Sequence, residues 1–497
     1  MSLLNKIKGA KKTTALSNGQ INVSYEELIR QVSKRTAFLS SLNVKVIAIS
    51  LDNSIDWILF DLAAQELNLK CIPLPVFFTS TQLGHVVNSA DVELIISLNK
   101  ELALNADTGN VDFISDFETT PLFAHMLSTS GNAQYPQKTQ KVTFTSGSTG
   151  APKGVCLSTE NQVLVANSLK QSIGLEAPKH LCLLPLPVLL ENIAGVYAPL
   201  LASGEVVVLT QDKLGFSGSQ LVDPNTFLSA ITQHQPNSLI CVPELLILLV
   251  QAASSGWEIP KSLKFIAVGG AHVAPELLKQ AQYLGLPVYQ GYGLSECASV
   301  VCLNTPSKHD IETAGTILNH LNCELENGEL VIKGNCHLGY LNQKDTWYAK
   351  SIKTGDIASI VNNKLVIKGR KKNVLISSFG RNINPEWPEA LLLSSGLLEQ
   401  CVVFGDNKPF CCALIVVNKN VSKGKVSSLF NRVNFQLPDY AKIKQWHILD
   451  ETMSPKDGLF TQNNRPKRMT IYSRFEREIN ALYTSQKDVT LYANLMA

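Results

Sequence analysis

The run Val142-Thr-Phe-Thr-Ser-Gly-Ser-Thr-Gly-Ala-Pro-Lys-Gly-Val155 packs three glycines, five hydroxyl-bearing residues and one lysine into a short turn behind a β-branched lead-in. Glycines let backbone N–H groups approach a phosphate closely, hydroxyls donate further hydrogen bonds, and Lys153 offers a mobile point charge. The spacing is not the GxxxxGK[ST] of a Walker A loop. Gly-x-Ser-x-Gly also fails at both Ser146 and Ser148, which excludes a nucleophile elbow. Composition alone would make such a stretch a plain loop more often than a site. What lies on either side of it therefore decides the reading.

Upstream, Ser24-Tyr-Glu-Glu27 reads as a capping box opening an amphipathic helix through Leu39. Short β-branched or apolar runs at Val46–Leu51, Cys71–Pro75 and Leu94–Leu98 alternate with helical patterns at Trp57–Leu67 and Thr81–Asn88. Downstream the alternation repeats, with strands expected at Leu181–Leu186, Glu205–Thr210, Ser238–Val242, Phe265–Gly270 and Val288–Gly291, and helices at Glu244–Ala253 and Pro275–Leu284. Near-continuous apolar strands alternating with helices predict buried parallel sheets covered on both faces. Two such series predict an α/β body of two βα-layered subdomains. After Leu330 the strands Glu329–Lys333 and Lys364–Lys368 are short and alternating, as in an antiparallel, β-barrel-like subdomain. The charged connector Lys368-Gly-Arg-Lys-Lys-Asn373 has no apolar anchor, so a domain boundary is placed there: 1–370 and a small α+β unit, 371–497.

The chain has 497 residues, too many for one core, and 45% of them are hydrophobic against 17% charged, which excludes a largely disordered chain. With 44 basic and 41 acidic residues the net charge is +3, too small for a nucleic-acid partner on charge alone. From Lys371 onward 17 basic residues face 11 acidic ones, a basic module suited to swinging onto a polyphosphate or to being ordinary surface. Eleven scattered cysteines without a CxxC pair predict free thiols in a reducing, cytoplasmic setting. The apolar runs Leu181–Leu190 and Leu239–Ala253 are shorter than the ~20 residues of a bilayer span. No transmembrane segment is expected, and contact with a membrane surface stays open.

Thr145-Ser-Gly-Ser-Thr-Gly-x-Pro-Lys-Gly154 matches the phosphate loop of the adenylate-forming superfamily position by position. Gln290-Gly-Tyr-Gly-Leu-Ser-Glu296 resembles the family's Tyr-Gly-x-Thr-Glu motif, with Ser295 in place of threonine. Gly269-Gly-Ala271, Thr354-Gly-Asp356, Gly369-Arg370 and Lys372 resemble, in chain order, its adenine and acyl pocket wall, its ribose contacts and its hinge. The resemblance spans about Ser24 to Arg468, and Leu51–Trp57, Pro73–Phe78 and Leu190–Tyr197 look like a bacterial branch of long-chain acyl-CoA ligases.

The resemblance implies an ATP- and Mg²⁺-dependent enzyme that captures an organic acid as its acyl-adenylate and passes the acyl group to CoA, or to the phosphopantetheine of an acyl carrier protein. Thr145, Ser146, Gly147, Ser148, Thr149, Gly150 and Lys153 would meet the β- and γ-phosphates. Glu296, with Thr149, would hold Mg²⁺, a hard cation that takes oxygen ligands. Asp356 and Arg370 would fix the ribose, while Gly270, Ala271, Gly291, Tyr292, Gly293 and Ser295 would surround the nucleotide. The acyl pocket falls to Val188, Leu189, Ile193, Gly269 and Leu294. Its apolar lining suits a fatty acid better than an amino acid, whose ammonium would want an Asp partner.

Three departures stand out. Val188 occupies the place of a ring that commonly guards the acid pocket. The C-terminal Thr-x-x-Gly-Lys-x-x-Arg pattern reads Thr461-Gln-Asn-Asn-Arg-Pro-Lys-Arg468, so the cation that bridges carboxylate and α-phosphate must be Arg465 or Lys467. The loop Ile376–Ile383 lacks the lysine that many members carry, which leaves the acceptor open. A degenerate nucleotide- or acyl-adenylate-binding protein is the non-catalytic alternative that the second departure supports.

Overall fold

Ser24 caps the first long helix, Tyr25–Ser41, its hydroxyl accepting the Glu27 N–H. Ser158 and Asn161 close a reciprocal capping box on helix Thr159–Ile173, which Gly174 ends in the left-handed conformation. These helices and Ile55–Glu66 bury their apolar faces in one core cluster that also takes side chains from two large sheets. The structure is a computed structural model and describes residues 2–7, 12–75, 78, 80–101, 110–117, 121–145, 153–218, 220–378, 382–419, 421–461 and 464–484.

The first sheet has eight strands. Val46–Ser50 lies between Lys70–Pro73 and Leu94–Ser97, all parallel. Lys70–Pro73 passes the sheet to Lys141–Thr145, which pairs antiparallel with Lys153–Leu157. The second sheet has thirteen strands. Its parallel half runs through Glu205–Val208, Lys179–Cys182, Ser238–Cys241, Phe265–Val268 and Val288–Leu294. At Val288–Leu294 the sheet turns antiparallel and continues through Ser299–Leu303, Gly315–Ile317, Lys364–Arg370, Ser351–Val361, Glu329–Gly334 and Leu321–Glu326. The expected barrel-like subdomain is therefore an antiparallel extension of this sheet.

The strand expected over Leu181–Leu186 stops at Cys182. Pro185 and Pro187 cannot donate to a ladder. Instead Asn53 holds this segment, donating to Leu184 O at 2.9 Å and accepting from Leu186 N–H at 2.7 Å.

Beyond the turn at Lys371–Asn373, which Lys371 N–H anchors to Gly355 O at 2.8 Å, the chain builds a three-stranded sheet. Leu398–Phe404 is antiparallel to Cys411–Val417, which is parallel to Ile443–Ile448. Phe430, from helix Lys423–Gln436, stacks on Trp446 at 4.1 Å. This C-terminal unit packs on helix Pro243–Ser254, and Leu245, Leu249, Leu391 and Leu392 share one core cluster. All eleven cysteines are free and buried. Among the described residues no helix is long and apolar enough to cross a membrane.

Candidate active site

Two buried polar networks set the site's walls. Lys141 opens the strand that leads into the glycine–hydroxyl turn, and its ammonium is wholly buried. It lies 2.8 Å from Asp61 and 3.0 Å from Tyr197 Oη, and also bonds Asn192. A buried charge is tolerable only when paired and hydrogen-bonded in this way. The network ties the turn's stem to helix Ile55–Glu66 and to the π-helical segment Glu191–Tyr197. In the second network His180 bridges Ser238 Oγ and Glu191 Oε1, each at 2.9 Å, while Glu191 Oε2 accepts Leu184 N–H at 3.0 Å. Gly195 makes room for it, since a Cβ there would stand 2.1 Å from Glu191 Oε1.

Thr145 and Lys153 pair in register across the stem of the turn. Ser146, Gly147, Ser148, Thr149 and Gly150, expected to contact phosphates, lie outside the described residues. Gly154 is a packing glycine: its Cβ would meet Val142 at 2.9 Å and Leu341 at 3.0 Å. The Lys153 ammonium sits 5.3 Å from the ring centre of Tyr340, whose hydroxyl donates to Glu296 Oε1 at 2.8 Å. Burial and the neighbouring Glu296 push the Tyr340 hydroxyl above its ordinary range, so it remains a donor. Glu296 belongs to no cluster of three metal-ligating side chains among the described residues. A magnesium ion there would draw its other oxygens from phosphates and water, which suits a hard cation bound together with a triphosphate.

Asp356 is buried opposite Arg370 on paired strands. Its carboxylate receives Tyr292 Oη at 2.5 Å and Arg370 Nε at 3.0 Å. Burial raises its pKa against the pull of Arg370 and the Tyr292 hydrogen bond. The Tyr292 ring is thereby locked beside a carboxylate able to accept hydroxyl hydrogens.

Arg465 reaches across from the C-terminal unit and donates to Gly270 O. Gly270 and Ala271 are exposed at the end of strand Phe265–Val268, and Gly270 has φ +84°. Arg465 is exposed as a residue, but burial around its guanidinium and then Arg370 lower its pKa, while Glu386, Asp356 and Tyr292 oppose them. Asn464, at the family's glycine, has φ +50°, a left-handed conformation asparagine tolerates. Among the described residues no hydrogen bond or ion pair joins the Lys467 side chain to the N-terminal body. Arg468 is structural, gripping buried Glu389 at 2.7 Å and 3.2 Å.

Beside Gly270 opens a largely apolar cavity of about 190 Å³. Val188, Leu189, Gly269, Gly291, Gly293, Leu294 and Ser295 line it, and Tyr292 borders it. Ile193, expected in this pocket, is fully buried in the main core and is not among the lining residues. Its π-helical segment turns it inward, which an apolar pattern cannot reveal. Lys372 lies in the turn directly after strand Lys364–Arg370.

Sequence reasoning missed Tyr340, Lys141 and the His180–Glu191–Ser238 network. Glu191 inside an otherwise apolar stretch was the available signal, since an acidic group there needs a buried partner. Nothing local marks Tyr340, which the strand pairing Tyr340↔Val155 brings in.

Residues 5–341 match the model of the AMP-binding enzyme family, and residues 372–487 match that of the AMP-binding enzyme C-terminal domain. A 2-succinylbenzoate–CoA ligase of Staphylococcus epidermidis is 29% identical over 404 residues, covering 79% of this chain and 81% of its own. A long-chain fatty acid–CoA ligase of Mycobacterium bovis is 26% identical over 253 residues, covering 44% and 42%. The crystal structure of an anthranilate CoA ligase in complex with anthranoyl-AMP superposes with TM-score 0.79 at 13% identity, covering 95% and 97%. The large N-terminal body, the small C-terminal unit and the family-model match to most of the chain make it a member of the AMP-binding enzyme family.

Proposed function

We propose that this chain is an AMP-forming acid–thiol ligase that activates a compact, largely apolar carboxylic acid with ATP and Mg²⁺ and transfers it to CoA. The single observation that carries the reading is Arg465, delivered onto Gly270 O between the Asp356–Tyr292–Arg370 cluster and the mouth of the cavity. In the first step a carboxylate oxygen attacks the α-phosphorus of ATP. One P–O bond forms, the α–β bridge breaks and pyrophosphate leaves. In the second a thiolate sulfur attacks the acyl carbon and AMP departs. The protein supplies placement and charge neutralisation. Thr145, Ser146, Gly147, Ser148, Thr149, Gly150 and Lys153 take the β- and γ-phosphates. Glu296, with Thr149, would hold a magnesium ion, which would supply charge neutralisation of the phosphates. Asp356 and Arg370 orient the ribose, and Arg465 meets carboxylate and α-phosphate. Rotation about Lys372 then withdraws Arg465 for thioester formation.

Two observations support a compact acid. The cavity, at about 190 Å³, only modestly exceeds the about 150 Å³ known to hold benzene. Two of the similar proteins carry names with one-ring acids, 2-succinylbenzoate and anthranilate. A fatty acid is the second reading, favoured by the apolar lining and by the M. bovis relative. Pyrophosphate release screened over aromatic, fatty and amino acids, with Glu296→Ala as the blank, tests the first step. CoA or acyl carrier protein added separately tests the acceptor. No release with any acid, or release undiminished in Glu296→Ala, overturns the proposal.

A further inference from the structure

Ser299 stands out among the residues around the cavity. It opens strand Ser299–Leu303, lies opposite Leu294 and lines the cavity wall. Only 8% of it is exposed, and its hydroxyl oxygen is buried without a hydrogen-bond partner among the described residues. Of the other polar groups on the lining, Ser238 and His180 bond each other and the Tyr292 hydroxyl goes to Asp356. A buried hydroxyl without a partner is unfavourable, and native proteins rarely leave one so.

The backbone adds an independent sign. Ala298 has φ +54° and Ser299 φ +103°, two successive non-glycine residues in the left-handed region. Strain of this kind persists where surrounding structure over-determines it, and it clusters at ligand sites. Gly293 does the over-determining: a Cβ there would stand 1.6 Å from Ser299 O, so the two backbones are packed together.

We propose that Ser299 is a specificity-determining residue whose hydroxyl receives a keto or hydroxyl oxygen on the body of the acid, beyond the reacting carboxyl. The inference rests on the ligase reading above and narrows it: the substrate is an oxygen-substituted compact acid, not a plain hydrocarbon chain. A site built to hydrogen-bond a substrate oxygen discriminates against the analogue lacking it, because the site's own polar group is then left unpaired.

The test uses the full chain and matched pairs of acids, such as 4-oxo-4-phenylbutanoate against 4-phenylbutanoate and hydroxylated against plain alkanoates of equal length. Acid-dependent ATP–pyrophosphate exchange reads turnover, and calorimetric titration of each acid into nucleotide-free protein reads binding. Wild type is expected to favour the oxygenated member of at least one pair by about tenfold in both readouts. Ser299→Ala should level that preference by lowering turnover and binding of the oxygenated acid far more than of the plain one, and its thermal midpoint should not fall. A merely structural serine would lower both acids together and lower the midpoint. Equal treatment of every pair by wild type overturns the proposal, as does a preference that survives in Ser299→Ala. Preferential binding lost in Ser299→Ala, with no exchange by any protein, would uphold Ser299 and refute the ligase reading instead.

Discussion

Replacing Arg465 separates the two halves of the proposed reaction. Its guanidinium donates to Gly270 O and faces Asp356, Glu386 and Tyr292 from the C-terminal unit. Arg465→Ala removes a charged donor at the place where negative charge gathers when a carboxylate meets an α-phosphate. Loss of one such preorganised donor costs about 10²–10³ in rate, roughly 2.7–4 kcal/mol. Arg465→Lys keeps the charge and loses the planar fork, so a loss of about tenfold is expected. The side chain is exposed and outside the core, so neither variant should shift the thermal midpoint by more than a degree or two, a surface-sized effect of about 0.5 kcal/mol or less. Acid-dependent ATP–pyrophosphate exchange measures the first step. Thioester formation from a chemically prepared acyl-adenylate measures the second, which Arg465→Ala should leave within a few-fold of wild type. Wild-type exchange in Arg465→Ala refutes the reasoning, and so does a comparable loss in Lys467→Ala with Arg465→Ala intact.

Three further outcomes follow from the buried groups. Burial holds the Asp356 carboxyl above its ordinary range, so folding favours its protonated form and its ionisation at neutral pH works against stability. Asp356→Asn should therefore raise the thermal midpoint at pH 7, with the gain shrinking as pH falls through the raised folded-state value and gone by about pH 4, the ordinary value of an unfolded Asp, while exchange activity drops; a lowered midpoint at pH 7 counts against the sign. Lys141→Met leaves Asp61 buried without its cation and should destabilise by about 3–5 kcal/mol in urea titration; a loss under about 1 kcal/mol would show that the network is not what fixes the stem. Gly195→Ala drives a Cβ into Glu191 Oε1 and should cost about 1–3 kcal/mol by the same titration; an unchanged unfolding midpoint would mean the π-helical segment can yield.

The parallel strands were legible because burial on both faces leaves runs such as Val46–Ile49 apolar throughout. The helix at Tyr25–Ser41 was legible because Ser24 spells its cap locally, although the Glu27 carboxylate goes to Arg30 and Gln31 and leaves the expected capping box half closed. Asp356, Arg370, Tyr292 and Glu296 could be named because short motifs carry them. The acyl cavity was harder. Ile193 and Val188 look alike in a pattern of apolar residues, and only the π-helical turn sends one inward while the other lines the wall. Ser299 was invisible for another reason: its significance lies in what it does not touch, and a missing hydrogen bond has no sequence signature. The short alternating strands after Leu330 specified antiparallel pairing, and the structure joins that antiparallel region to the second sheet through Val288–Leu294.

The substitution of Asn-Arg for the family's Gly-Lys bears on whether the site has decayed. A decaying loop would lose the left-handed position, the cation, or both. Here Asn464 adopts φ +50°, one of the few non-glycine residues for which that conformation is inexpensive. The turn is closed by Asn464 N–H to Thr461 O at 3.0 Å and Thr461 N–H to Arg465 O at 2.8 Å. Arg465 then reaches Gly270 in the other unit, a contact that needs both the turn and the long side chain. Lys467 has its N–H on Leu459 O at 2.8 Å and directly precedes helix Arg468–Arg474, and among the described residues no hydrogen bond or ion pair joins its side chain to the N-terminal body. Backbone conformation and charge are thus retained together by a pair of residues that differ from the family's. That joint retention is what a working adenylation site requires, and a module that only binds nucleotide would have no need of it.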